Sequence, residues 1–363
     1  MPDKTTALFE RSQINIECPY KIRMWLISLY AAIAVIESAL GDGGASIYVM
    51  FAALGAALLT EFIAGSKTGR HTVLDGSAAA SALVLTLLLP NQIPPVFAAL
   101  GAVFAIAVVK ITFGGLGANW LNPAVSGWLF IRFSWPGAFD GAIAGSPLSF
   151  LVNKVVNGGG YKISSFWDIL SQNGFIQNTG AVTRAFNKTV FSLFGTELPA
   201  SYLDFFSAPG IGIIGDRGVY ALLLGSVVIA ALGVSRFYVS AVYLLFYMLL
   251  IKIAGVLPTG GELWEGEVLF GILTGGTLIT AFILLTDPAT SPKSVYGKTI
   301  FALLAAALTF FFRYMKSEPY GAFFAVALLN TFTPLIRDIE SRYIYNPVKR
   351  RGAVEGKEDK NEY

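Results

Sequence analysis

Cysteine and histidine occur once each, as Cys18 and His71, and charged residues make up only 13% of the 363 positions. A lone cysteine excludes an internal disulfide or a thiolate-ligated cluster. A lone histidine argues against a histidine-built metal centre and against a Ser-His-Asp triad. There is no dinucleotide-binding glycine fingerprint, no phosphate-binding loop and no CxxC pair. Any chemistry must therefore come from an organic cofactor or from carboxylates and lysines. The formal net charge of +3 is too small to argue for nucleic acid as a partner.

What the chain has instead is apolar sequence. Hydrophobic residues make up 55% and the mean hydropathy is +0.63, against about 25% charge in an ordinary soluble domain. This composition reads as an all-α integral membrane protein embedded in the lipid bilayer. Ten segments qualify as spans by hydropathy: 24–41, 45–64, 75–90, 94–112, 116–133, 218–233, 235–255, 268–286, 297–313 and 319–336. The polar start, "MPDKTTALFERSQINIECPYKIR", has no apolar run ending in a small-residue cleavage site, so it is not expected to be a removed signal peptide.

Placing the N-terminus in the cytoplasm puts Lys67, Arg70, Lys110, Arg236, Lys293, Lys298 and the basic tail from Arg337 onward on the same side. Arg313 and Lys316 then form one mildly basic loop on the wrong side. The expected organisation is a cytoplasmic segment 1–23, a first transmembrane repeat 24–133, an extracytoplasmic loop 134–217, a second repeat 218–336 and a cytoplasmic tail 337–363. The 134–217 segment mixes aromatics, glycine and helix formers, which suits a small folded cap better than a linker.

Two segments echo each other. "GSAAASALVLTLLLP" (76–90) and "TGGTLITAFILLTDP" (274–288) both begin with small residues and stop at proline, and each is followed by a span carrying Asn and Pro, 115–130 and 321–336. Ten spans divided five and five place the second set upside down relative to the first, the inverted-repeat plan in which broken helices meet near the midplane. Close helix packing through small residues is the other reading of the same stretches. Ionisable residues near membrane depth are candidates for function. Glu37 and Glu61 lie within apolar runs and Asp75 at a span end, so these three are candidates for an ion pathway; pairing with a helix end is the alternative for the two glutamates. Lys110 is expected to reach toward the interface on its apolar stem.

"VLDGSAAASALVLTLLLP", "FGGLGANWLNPAVSGWLF" and "LLTDPATSPKSVYGKTIF" resemble three signatures of the NqrB/RnfD family, membrane subunits of the sodium-pumping NADH:quinone oxidoreductase and of the Rnf complex. The length is closer to the RnfD type. The resemblance implies a ten-helix inverted-repeat fold in the cytoplasmic membrane, with both termini cytoplasmic. It also implies FMN joined to a threonine by a phosphoester in an outward loop, a flavin transferase to install it, and in some members a noncovalent riboflavin. The implied activity is that of one subunit of an ion-translocating oxidoreductase, not active alone. It would relay electrons between ferredoxin- or NAD-linked partners in a membrane electron-transport complex and couple them to Na+ or H+ movement. A passive channel or transporter of the same architecture is the alternative from another class.

The family's flavin acceptor lies in a Ser/Thr-Gly-Ala-Thr pattern. Here "QNTGAVTRAFN" (177–187) gives Thr179, Gly180, Ala181, Val182 and Thr183, with the second threonine displaced by one. Thr183 is the expected acceptor, with Thr179 as the other candidate and Arg184 and Lys188 able to pair with the phosphate. For a riboflavin between the halves, position nominates Asn122, Asp287 and Lys293.

Overall fold

The computed structural model describes residues 20–68, 72–115, 119–139, 181–189, 191–195, 213–255, 263–264, 266, 268–315 and 318–343. Among these the chain is helical, and its one β-type contact is an isolated bridge between Pro90 and Ile213. Five helices are long and apolar enough to cross a membrane: Tyr20–Leu40, Ala45–Lys67, Phe237–Ala254, Val295–Met315 and Gly321–Glu340. Shorter apolar helices, Ser77–Leu88, Pro95–Ile111 and Val219–Ala231, lie among them. The protein is a multi-pass membrane protein.

The first half begins with α1 (Tyr20–Gly41) and α2 (Ala45–Thr68). Gly43 and Gly44 take positive φ in the turn between them, and the Asp42 carboxylate there accepts the Gly44 and Ser46 N–H groups, capping α2. Next comes α3 (Ser77–Leu88), which is buried on nearly every face, as a helix apolar all round must be. The chain then forms α4 (Pro95–Phe104), which continues as a π-helical end over Ala105–Ile111, and α5 (Pro123–Ser134). The expected span 116–133 starts late because Pro123 stands at the first helical position and the Asn122 side chain accepts from Ala124 N and Val125 N, fixing the start at that point.

Between the halves lies the short α6 (Ala181–Thr189). The second half comprises α7 (Val219–Ala231), α8 (Phe237–Ala254), α9 (Val268–Leu273), α10 (Thr277–Ile279) with a π-helical end over Thr280–Leu284, α11 (Val295–Phe310) with a π-helical end over Phe311–Met315, and α12 (Gly321–Tyr343). The expected span 268–286 is thus two pieces. Gly275 and Gly276 break it with φ of 67° and 69°, a conformation closed to most side chains. Their N–H groups, freed by the break, bond to Asp216 at 2.9 and 2.8 Å. α12 also runs past the expected boundary at 336: Arg337 donates to the carbonyls of Pro288, Ala289 and Ser291, and Glu340 accepts from the backbone of Lys293 and Ser294.

Two contacts give the relative direction of the echoing helices α3 and α10. The residues just past the C-terminal end of α3, Leu89 and Pro90, meet Ile214 and Ile213, and two residues further along the same turn Asp216 holds the N-terminus of α10. At the opposite end, Ser77 at the start of α3 and Thr286 beyond α10 line one crevice. α3 and α10 therefore run antiparallel. Where they cross, Gly215 sits against Ile279 and the Leu87 carbonyl with no room for a side chain.

Candidate functional site

The crevice opens beside the start of α3, between the two halves, and is continuous with the exterior. Tyr20, Arg23, Lys110, Asn119, Asn122 and Asp287 supply much of its polar lining. Val84, Phe282 and Ile283 line its apolar part. A few well-placed polar groups on an apolar wall are the usual make-up of a small-molecule site.

A charged cluster forms one wall. Lys110, on the π-helical end of α4, is 3% exposed, and its ammonium donates to Glu61 Oε1 and to Ser77 Oγ. Asp75 Oδ1 lies 3.9 Å from the same ammonium and accepts the Ser77 N–H at 2.8 Å. Thr72 Oγ1 donates to Glu61 Oε1 at 2.6 Å. The expectation that Lys110 reaches to the interface is therefore corrected. The π-helical turn re-aims it inward, where two carboxylates compensate the cost of burying its charge. Glu61 is itself 1% exposed, and its second oxygen has no hydrogen-bond partner.

The opposite wall carries Asp287. Its Oδ2 accepts from Asn122 Nδ2 at 3.1 Å, joining α5 of the first half to the turn after α10 of the second. Ala289 N and Thr290 Oγ1 also donate to Asp287. Burial pushes the Asp287 carboxyl above the usual range, while these three donors and Arg337 favour its charged form. The sequence-nominated Asn122, Asp287 and Asp75 thus come together with Lys110 and Glu61. Lys293 does not join them: its side chain is exposed and its backbone N–H serves Glu340. Glu37 stands elsewhere, accepting Tyr220 N at 3.1 Å and Ala221 N at 2.6 Å as a cap on α7, which is the helix-end pairing that burial favours.

At the other end of the molecule, Arg313 is the counterpart of Lys110. It lies on the π-helical end of α11 and is fully buried, so it is no loop charge on the wrong side of the membrane. It donates to Gly271 O, Thr274 Oγ1, Thr277 Oγ1 and Tyr247 Oη, binding together the two sides of the α9–α10 break. Charge counting missed Arg313 and Asp216. A shared position after the echoing segments was the signal that could have paired Arg313 with Lys110.

The expected flavin acceptor is found on a helix. Thr183 lies in the first turn of α6, with Arg184 next to it and Lys188 in the last turn, while Ala181 opens the helix. Arg184 and Lys188 are exposed. Thr179 and Gly180 lie outside the described residues.

The model of the NQR2, RnfD, RnfE family matches residues 11–346. The chain belongs to the NQR2, RnfD, RnfE family. It is 30% identical to the D subunit of the proton-translocating ferredoxin:NAD(+) oxidoreductase complex of Clostridium ljungdahlii, over 90% of this chain and 92% of that one. It is 29% identical to the D subunit of the Na(+)-translocating ferredoxin:NAD(+) oxidoreductase complex of Acetobacterium woodii, over 77% and 75% of the two chains. With the D subunit of the ion-translocating oxidoreductase complex of Halorhodospira halophila it shares 28% identity over 75% and 76%. The family match covers both halves and the segment between them.

Proposed function

We propose that this chain is the flavin-carrying membrane subunit of an Rnf-type ion-translocating oxidoreductase, working beside other subunits that pass electrons between ferredoxin and NAD. The observation that carries this reading is its similarity, over most of its length, to D subunits of such complexes. The antiparallel α3 and α10 support a ten-helix inverted repeat with broken helices at its centre. Both termini are then cytoplasmic, the crevice opens inward, and residues 134–217 face outward.

The groups around Thr183 fit a covalently held FMN. A phosphoester is anionic, and Thr183 stands in the first turn of α6, at the positive end of the helix dipole, with Arg184 and Lys188 on the same short helix. A flavin transferase would install it. The crevice fits a second, noncovalent flavin of the riboflavin type. Tyr20, Tyr30 and Phe282 supply apolar faces, and Asn119 Oδ1 and Arg23 Nε are buried there without partners. Asn122 and Asp287 would fix the polar edge of such a ring and Lys110 would set the charge beside it. The flavin supplies the one- and two-electron chemistry when bound, and the chain contributes orientation and electrostatics. Glu61 and Asp75, held by Lys110, would give the coupling ion its carboxylates.

A passive channel is the alternative. Against it stands the similarity over most of the chain to D subunits of ferredoxin:NAD(+) oxidoreductase complexes. The test is to co-express the chain with its flavin transferase, denature it in SDS and record in-gel flavin fluorescence. Fluorescence that disappears in Thr183→Ala is expected. A dark wild-type band, or fluorescence retained by Thr183→Ala, overturns the assignment.

A further inference from the structure

The end of α3 away from the crevice, beside Asp216 and the α9–α10 break, faces a second polar cluster. Gly275 is its hub. Its N–H bonds to Asp216 at 2.9 Å, the Arg313 guanidinium carbon lies 2.8 Å from where its Cβ would be, and the Pro319 carbonyl presses on the same point. The turn carrying Glu318 and Tyr320 is thereby packed onto the Asp216 corner. Glu318 in turn reaches Arg132 of α5 at 3.6 Å, so both halves contribute. Charges on Asp216, Glu318, Arg132 and Arg313 all act on the Tyr320 hydroxyl.

Several of these groups are unfinished. Tyr320 Oη, Glu318 Oε1, Arg132 Nε and Trp128 Nε1 are buried with no hydrogen-bond partner. Trp128 and Tyr320 are neighbours, with ring centroids 6.3 Å apart. Other buried hydroxyls nearby are served: Tyr243 bonds Thr309, and Tyr247 takes a bond from Arg313. Four orphaned polar atoms of both donor and acceptor type at one corner call for ordered water, which needs two to four such partners per molecule.

We propose that Asp216, Tyr320 and Glu318, with water held on their free atoms, form the site through which protons leave this subunit on the side of residues 134–217. It rests on the reading of the chain as an ion-translocating subunit. The charge inventory favours a proton over a metal cation. Arg132 and Arg313 already balance the two carboxylates, so Na+ would meet no net negative charge, whereas a proton needs only one carboxylate oxygen. The other charged or titratable groups facing the corner are Arg217 beside Asp216 and, around Arg313, Tyr243 and Tyr247 of α8 and Tyr314. Burial moves both carboxyls toward the protonated form, Asp216 to about 7. The Tyr320 hydroxyl lies within the electrostatic reach of both acids, and Phe139, packed on Trp128 and under Arg132, lies just past the end of α5.

The test uses the complete complex in inverted vesicles with a luminal pH dye, driven by reduced ferredoxin and NAD+. Tyr320→Phe removes only an unpartnered hydroxyl, so a purely structural role predicts unchanged or higher stability and unchanged proton release. The proposal expects proton release to fall by at least about tenfold, with in-gel flavin fluorescence and melting temperature retained. Wild-type proton release in Tyr320→Phe overturns it, as does 22Na+ uptake without proton uptake by the wild type. Should Tyr320→Phe fail to assemble, infrared spectra of the wild-type complex decide. A buried carboxylic-acid band that disappears as pH rises through about 7 supports the proposal, and no such band overturns it. Failure of the flavin reading is a separate outcome, visible as a dark wild-type gel band.

Discussion

Lys110→Met keeps an apolar stem in the crevice wall and deletes the ammonium. Glu61 then keeps only Thr72 as a partner for Oε1 and none for Oε2, at 1% exposure. Removing one member of a buried ion pair costs about 3–5 kcal/mol, because the remaining charge is left without compensation. The second attraction, to Asp75 at 3.9 Å, is worth about 4 kcal/mol gross at an effective dielectric near 20, less what water at the partly exposed Asp75 screens. The expected loss is thus about 3–5 kcal/mol, a fall in unfolding midpoint of roughly 5 °C. Detergent-purified protein followed by intrinsic fluorescence on heating reads it directly. Adding Glu61→Gln removes the stranded charge, so the double variant should be more stable than Lys110→Met alone. A midpoint for Lys110→Met within about 2 °C of wild type would refute the reasoning, since the pair would then be solvated rather than buried.

Two further outcomes follow from the fold. Gly127→Ala places a Cβ 2.6 Å from the Gly101 carbonyl where α4 and α5 cross, and should lower stability by about 1–3 kcal/mol in the same melting assay; no change would mean that the helices can separate there without cost. Asp216 has its carboxyl at about 7 when folded and near 3.8 as the ordinary value, so between these the native chain holds the extra proton. Its contribution is therefore full below about pH 4 and lost as pH rises through about 7. Melting curves taken across that range should show stability falling with pH, and the slope should vanish in Asp216→Asn.

Apolar stretches and the echo between 76–90 and 274–288 could be read without coordinates, because bilayer thickness and a shared small-residue pattern leave few alternatives. The break at Gly275 and Gly276 could not, since a pair of glycines in an apolar run is equally good packing material until Asp216, from a distant turn, is seen to occupy their N–H groups. Asn122 and Asp287 were nominated by position and do meet, whereas Lys293 was nominated the same way and points out. Pairwise meeting across the two halves depends on tertiary packing, which local pattern does not encode. For Lys110 and Arg313 the obstacle was different. Hydropathy treats a basic residue at a span end as a surface charge, and a single π-helical turn is enough to rotate it inward.

The central claim is that this chain carries electrons within an ion-translocating oxidoreductase, and complementation of a strain lacking the subunit tests it most directly. In membrane vesicles, ferredoxin-dependent NAD+ reduction and the accompanying ion uptake should both return with the wild-type chain and both be absent with Thr183→Ala, although that variant reaches the membrane in equal amount. Full electron transfer and ion uptake with Thr183→Ala, or with no copy of the chain at all, would contradict it.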